Sequence, residues 1–139
     1  MNDLLRARER AERLYANDRA SQALGIEIEL PEPGAAIATM HVRSDMVNGF
    51  DICHGGLVFT LADTAFAFAS NGYDNVAVAA SGTIEFLRPA MEGDDLRATA
   101  HEEHRGQRTG LYAVEVVNQN EERIALFRGR SVRRTAGTR

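Results

Sequence analysis

The sequence predicts an α+β domain in which a curved antiparallel sheet covers one enclosed helix. Three observations lead there. Over residues 57–70 the apolar side chains Leu57, Val58, Phe59, Leu61, Ala62, Ala65, Phe66, Ala67, Phe68 and Ala69 occupy nearly every helical position, as in a helix buried on all sides. Several extended segments follow it, joined by connections too short for the crossovers that parallel pairing needs. Such a sheet has to bury one face, and the apolar helix is its natural cover.

Residues 2–20 open the chain with Leu4, Ala7, Ala11, Leu14 and Tyr15 at helical spacing and Glu9 and Arg13 on another face, which reads as an amphipathic surface helix. Ile26, Ile28 and Leu30 then alternate with Glu27 and Glu29; Pro31, Pro33 and Gly34 break that run, and residues 35–42 resume an extended pattern. Two strands and a turn result. Residues 43–53 hold Asn48-Gly49 and Asp51 without a sustained period, so they read as a loop leading to Gly55-Gly56. Asn71-Gly72 ends the helix. Residues 76–87, 96–104, 111–117 and 124–132 are expected strands, punctuated by Gly93-Asp94, Gly106 and Asn118-Gln119-Asn120; residues 135–139 are expected to fray.

With 139 residues and 44% apolar content, residues 1–139 make one domain that needs neither a disulfide nor a metal to close its core. Disorder and low-complexity classes are excluded. The lone Cys53 and the absence of an apolar leader point to a reduced, cytoplasmic location. The longest apolar run, residues 57–69, is shorter than the ~20 residues of a membrane span and carries Asp63, so no membrane span is expected. A formal net charge of −4 argues against nucleic acid as partner. All 16 basic residues are Arg, whose guanidinium fork suits phosphate groups, although genomic base composition explains the bias as well.

Asp63 is the most informative residue, because a carboxylate on a helix apolar all round suffers desolvation unless it faces a cleft or an interface. The structural alternative is a buried Asp bonded to a nearby hydroxyl or backbone group. Other polar features converge on the same helix, however. Cys53-His54-Gly55-Gly56 stands at its start, where unpaired backbone N–H groups and the positive dipole end can stabilise an oxyanion. The bland account is a tight glycine entry into the helix with an ordinary polar His54. Asp63 lies eight residues beyond Gly55, about 12 Å along a helix at ~1.5 Å per residue. One carbonyl cannot touch both, so a site using both has to straddle a two-fold dimer interface.

No Gly-x-Ser-x-Gly elbow, phosphate-binding loop with Lys or dinucleotide fingerprint occurs. His101 and His104 have an odd separation, which in a regular strand puts them on opposite faces and disfavours zinc. Cys53 lacks a third residue to orient a thiol–imidazole pair, so a plain thiol is expected.

Asn48-Gly49, His54-Gly55-Gly56, Asp63 in the long helix and then Ser81-Gly82-Thr83-Ile84-Glu85-Phe86-Leu87-Arg88-Pro89, taken as an ordered set over nearly the whole chain, resemble the hotdog-fold acyl-CoA thioesterases. The phenylacetyl-CoA thioesterase group of phenylacetate degradation is the nearest in pattern. The resemblance implies a sheet of five to six strands around the helix, dimers joined by sheet pairing as the catalytic unit, and a homotetramer. It implies hydrolysis of an acyl-CoA, with Asp63 as nucleophile or general base, the Gly55 N–H polarising the carbonyl, and Asn48, His54 and Ser81 positioning groups around it. Gly56, Thr64 and Phe59 would contribute substrate contacts. Phe66 and Phe68 are further candidates for an aromatic wall, against the ordinary role of such residues in a core. Arg88, Arg105, Arg108, Arg128, Arg130, Arg133 and Arg134 are candidates for the CoA phosphates, Arg88 and Arg108 foremost, or else a solvated edge. No cofactor or metal is called for, since a thiolate leaves without strong acid assistance. The alternatives are a hydratase or dehydratase on acyl thioesters, with His54 and Asp63 as the acid–base pair, and a non-catalytic acyl-CoA-binding module.

Overall fold

A computed structural model describes residues 2–134; the expectation for residues 135–139 lies outside them. The elements are α1 (Asp3–Ala16), α2 (Arg19–Ala23), β1 (Glu27–Glu29), β2 (Ala35–His41), a 3-10 turn (Ser44–Met46), α3 (Gly55–Ser70), β3 (Ala77–Phe86), β4 (Asp95–Arg105), β5 (Thr109–Val117) and β6 (Arg123–Arg133). The six strands form one sheet in the order β1-β2-β4-β5-β6-β3, with every neighbouring pair antiparallel. The sheet and the long helix against it form the hotdog arrangement.

The expected helix over residues 2–20 is interrupted. Asn2 caps α1 by accepting from the Leu5 N–H, but at Asp18 the chain starts again: its carboxylate accepts from the Ser21 N–H at 3.0 Å and from the Ser21 hydroxyl at 2.6 Å. A carboxylate that can satisfy otherwise orphaned donors makes a better helix start than a helix interior, and this outweighs the apolar period.

Small residues make the seat for α3. Ala36 and Ala38 of β2 and Ala98 and Ala100 of β4 face inward and are fully buried, so the helix approaches the middle of the sheet closely. On β6 the ring of Phe66 rests directly on Gly129, where a methyl group would lie 2.8 Å from the ring. Phe66 then meets Tyr112 of β5 at 5.6 Å and Phe127 of β6 at 5.7 Å between ring centres, both tilted, in the range where aromatic pairs attract.

This seat fixes the rotation of the helix and leaves one side uncovered. Gly56, Thr60, Asp63 and Ala67 are partly or fully open, and their spacing places them along one stripe. The expectation of enclosure on every side is therefore corrected: the sheet covers most of α3, and the open stripe runs beside β3. That strand lies antiparallel to the helix. Ala77 exchanges hydrogen bonds with the Asn71 side chain at the helix end, Gly82 approaches Phe59, and Phe86 lies over Gly55. β3 is also an edge strand, exposed along almost its whole length, which leaves a row of backbone groups free for pairing.

Gly129→Ala should overpack the helix seat and destabilise the fold by about 1–3 kcal/mol. Urea unfolding would show this as a lower midpoint with an unchanged slope; an unshifted midpoint would contradict the described seat.

Candidate active site

Helix α3 begins at a junction that leaves a single amide over. Of the four N–H groups that precede the first full helical bond, from Val58 to the His54 carbonyl at 3.3 Å, that of His54 donates to the Met46 carbonyl at 2.8 Å and that of Leu57 to the His54 carbonyl at 2.9 Å. The Gly56 N–H donates to His54 Nδ1 at 3.1 Å. Among the described residues the Gly55 N–H has no acceptor. It stands at the positive end of the helix dipole, where a developing negative charge is favoured. Because His54 Nδ1 accepts, its ring proton resides on Nε2, which points the ring's donor outward.

The loop before the helix is tightly tied. Asn48 Oδ1 accepts from the Phe50 N–H at 2.9 Å and from the Ile52 N–H at 3.4 Å, while its backbone N–H donates to the Ile52 carbonyl at 2.8 Å. Val47 and Cys53 form a bridge, and Asp51 takes a left-handed φ of 61° at the tip. Asn48 thus has its side-chain oxygen engaged in shaping the loop that delivers His54 and Gly55. Cys53 is buried with its thiol pushed up by burial and by nearby Asp94, the setting of an inert thiol.

Asp63 occupies the open stripe two turns further on. It is half-buried, and among the described residues nothing donates to its carboxylate and no cation pairs with it. Desolvation by burial holds its pKa above the ordinary value of 3.8. The separation of about 12 Å from Gly55 stands, since α3 is continuous over Gly55–Ser70 at ~1.5 Å per residue.

Other expected site residues fall elsewhere. The Thr64 hydroxyl is buried and donates to the Thr60 carbonyl at 2.6 Å, so it is spent within the helix. Phe66 and Phe68 are sealed in the core, while Phe59 is half-buried and meets Phe127 edge-on at 5.4 Å. Ser81 pairs in register with Arg130, and its neighbour Gly82 faces the helix, so strand alternation turns the Ser81 side chain to the convex face, away from α3. Within one protomer the structure does not bring Ser81 to Asp63 or Gly55.

Arg88 follows β3 at the Gly55 end and pairs with Glu122 at 2.7 Å. Arg108 precedes β5 at the opposite end of the sheet, roughly 25 Å away by ~3.3 Å per strand residue. Arg128 pairs with Glu103 at 2.9 Å, Arg105 stacks over Tyr73 at 3.9 Å, and buried Arg133 donates to the Gly106 carbonyl. The strict alternation assumed for His101 and His104 also fails, because the β4–β5 register shifts between Glu102 and His104 and a bulge resets the faces. Among the described residues no group of three or more His, Cys, Asp or Glu is arranged to hold a metal ion.

Sequence reasoning missed the apolar surroundings of Gly55. Phe86 lies so close that a methyl group on Gly55 would be 3.2 Å from its Cζ, and Phe50, Leu87 and Met91 are exposed on neighbouring segments. The signal was available in the parity of β3, since Phe86 shares the helix-facing set with Gly82 and Ile84, but the register was needed to use it.

A family model of the thioesterase superfamily matches residues 50–125. This chain belongs to the thioesterase superfamily. It is a thioester hydrolase with the hotdog fold. The acyl-coenzyme A thioesterase PaaI of Escherichia coli (strain K12) is 49% identical over 128 residues, 92% of this chain and 91% of that protein. The structure of the E. coli PaaI protein from the phenylacetic acid degradation operon aligns with a TM-score of 0.94 at 47% identity, covering 96% of this chain and 97% of the other. A mutant of the phenylacetic acid degradation protein PaaI from Thermus thermophilus aligns with a TM-score of 0.81 at 38% identity, covering 84% of this chain and all 100% of that one.

The raised pKa of Asp63 has a consequence for stability. A carboxylate that binds its proton more tightly folded than unfolded destabilises the fold above its folded pKa and is neutral in this respect below 3.8. Asp63→Asn should therefore melt at a higher temperature than the parent protein at neutral pH, with the gap closing as pH falls to 3.8. Equal melting temperatures at neutral pH would contradict a desolvated carboxylate here.

Proposed function

We propose that this protein hydrolyses aryl-acetyl-CoA, either phenylacetyl-CoA or its ring-hydroxylated forms, to the free acid and CoA, at a site shared by two protomers. One observation carries the reading: a single helix presents an unpaired amide at its start and an unpaired, half-buried carboxylate about 12 Å further on, by ~1.5 Å per residue. Each protomer holds both groups and can place neither beside the other. A two-fold pairing resolves this.

The level midway between Gly55 and Asp63 is Phe59, and Gly82 of β3 packs on that same ring, 3.6 Å from where its side chain would begin. Gly82 is also close to the middle of β3 (Ala77–Phe86). A two-fold axis at that level overlaps the two edge strands over nearly their full length and sets Asp63 of each protomer opposite the amide of its partner's helix start. The partner's Arg108 then comes to the Gly55 end, beside Arg88. Dimer, tetramer and cytoplasmic location belong to this proposal, and the acyl-CoA class is the one named for the E. coli relative.

In the reaction the Gly55 N–H donates to the thioester carbonyl and holds the oxygen as it becomes an oxyanion. Asp63 either takes a proton from the water that attacks the carbonyl carbon, or attacks that carbon itself to give an anhydride that water then opens. In both routes the C–S bond breaks, the electron pair leaves with sulfur as CoA thiolate, and one water is consumed: its oxygen goes to the acyl carbon directly in the first route, and in the second to whichever carbonyl of the anhydride it opens, which releases the free acid and restores the Asp63 carboxylate. Raised basicity of Asp63 favours the water route. His54 and Asn48 hold the loop and helix start in place, and the outward Nε2–H of His54 is a donor available to substrate.

Asp63→Ala and Asp63→Asn should each lower CoA release from phenylacetyl-CoA by at least ~100-fold with the dimer retained, as loss of a central acid–base group does. Turnover at the parent rate would reject the role. Mixing Asp63→Asn chains with Gly55→Pro chains, which lack the amide hydrogen, should restore part of the activity in exchanged dimers. No rescue despite demonstrated exchange would reject a shared site.

A further inference from the structure

Large apolar side chains stand in solvent at one end of the domain. Phe50 is 85% exposed, Phe86 54%, Leu87 52% and Met91 47%. All four are on segments tied together around the start of α3. The Phe50 N–H is held by Asn48, Ile52 bridges Met91, the Cys53 N–H donates to the Ala90 carbonyl at 2.7 Å, and the Leu87 N–H donates to the Ile124 carbonyl at 2.9 Å. Ordered apolar surface of this kind marks a binding region rather than a passive one.

The unpaired amide of Gly55 belongs to this same surface. The ring tip of Phe86 touches the Gly55 backbone, where a methyl group would be only 3.2 Å from Cζ. A carbonyl whose oxygen accepts from that amide has its acyl substituent one bond from the carbonyl carbon, which is within reach of the Phe86 ring.

We propose that Phe86, flanked by Phe50, Leu87 and Met91, is the acyl subsite, and that the Phe86 ring selects aromatic acyl groups over short ones. The inference rests on the thioesterase reading and deepens it by naming the wall that meets the acyl group. An aromatic ring gains both area and edge-to-face contact on such a wall, whereas an acetyl group reaches little of it. The occupant is the acyl group and not a second copy of the chain. The self-complementary edge centres on Gly82 and Phe59, whereas Phe86 ends its strand and abuts Gly55, whose amide is left over at the helix start. Phe59, by contrast, has its ring occupied by Phe127.

Steady-state hydrolysis of phenylacetyl-CoA and acetyl-CoA by Phe86→Ala and Phe50→Ala, with CoA release read by a thiol reagent, tests this. The ratio of kcat/KM for phenylacetyl-CoA over acetyl-CoA should fall by ~10-fold or more in Phe86→Ala and by a smaller factor in Phe50→Ala, and Phe86→Leu should recover part of the loss. Phe50 is exposed enough that its variant keeps the fold if Phe86→Ala does not. An unchanged ratio in both variants, or equal losses on the two thioesters, would overturn the subsite. Dissociation of Phe86→Ala into monomers would overturn it in favour of an interface role. Failure of the parent protein to release CoA from any acyl-CoA would instead overturn the reaction on which the subsite rests.

Discussion

Phe66 rests on the bare backbone of Gly129, and the alanines of β2 and β4 let the rest of α3 sink to the same depth. That contact sets the rotation of the helix about its axis. Turning it by one residue, about 100°, would carry Asp63 toward the apolar sheet and lift a large side chain into water. The position of the carboxylate therefore depends on a packing contact made on the other side of the helix. It costs the fold some stability through desolvation and leaves the carboxylate on the open stripe of α3, where the proposed reaction would use it.

At the helix start the same economy holds for hydrogen bonds. His54 contributes its carbonyl to two amides and its ring nitrogen to a third, so the junction is satisfied except at Gly55. In the proposed reaction, a helix end with one amide left over, next to a tied loop, would meet a carbonyl oxygen without any motion at the moment of reaction. The sheet edge at β3 extends this logic to the proposed dimer. The exposed strand, the open stripe of α3 and the Asp63-to-Gly55 spacing share a common level at Phe59, so one pairing answers all three.

Much of the fold was legible in the residues. Alternation in 26–30, 35–42 and the later strands, with turn residues between, located all six strands to within a residue or two. The break at Asp18 was not legible from the apolar period, because it depends on side-chain capping that competes with it. Asp63 and Gly55 stood out for a chemical reason: a charge on an oily helix and glycines at its entry are costly unless used. Ser81 shows the limit. Its place in a motif said nothing of which face of the strand it occupies, and that parity is set by Gly82 packing on Phe59 and Phe127.

The elements, their antiparallel order of connection and the helical separation between carboxylate and helix start follow from the residues in a row, because local propensity, period and rise per residue are properties of the chain alone. Which stripe of α3 stays open, which amide is left unpaired, and that Phe86 lies against the residue that carries it were settled by packing in three dimensions. Those outcomes depend on register and on contacts between segments distant in sequence, where a shift of one residue reverses the face a side chain occupies.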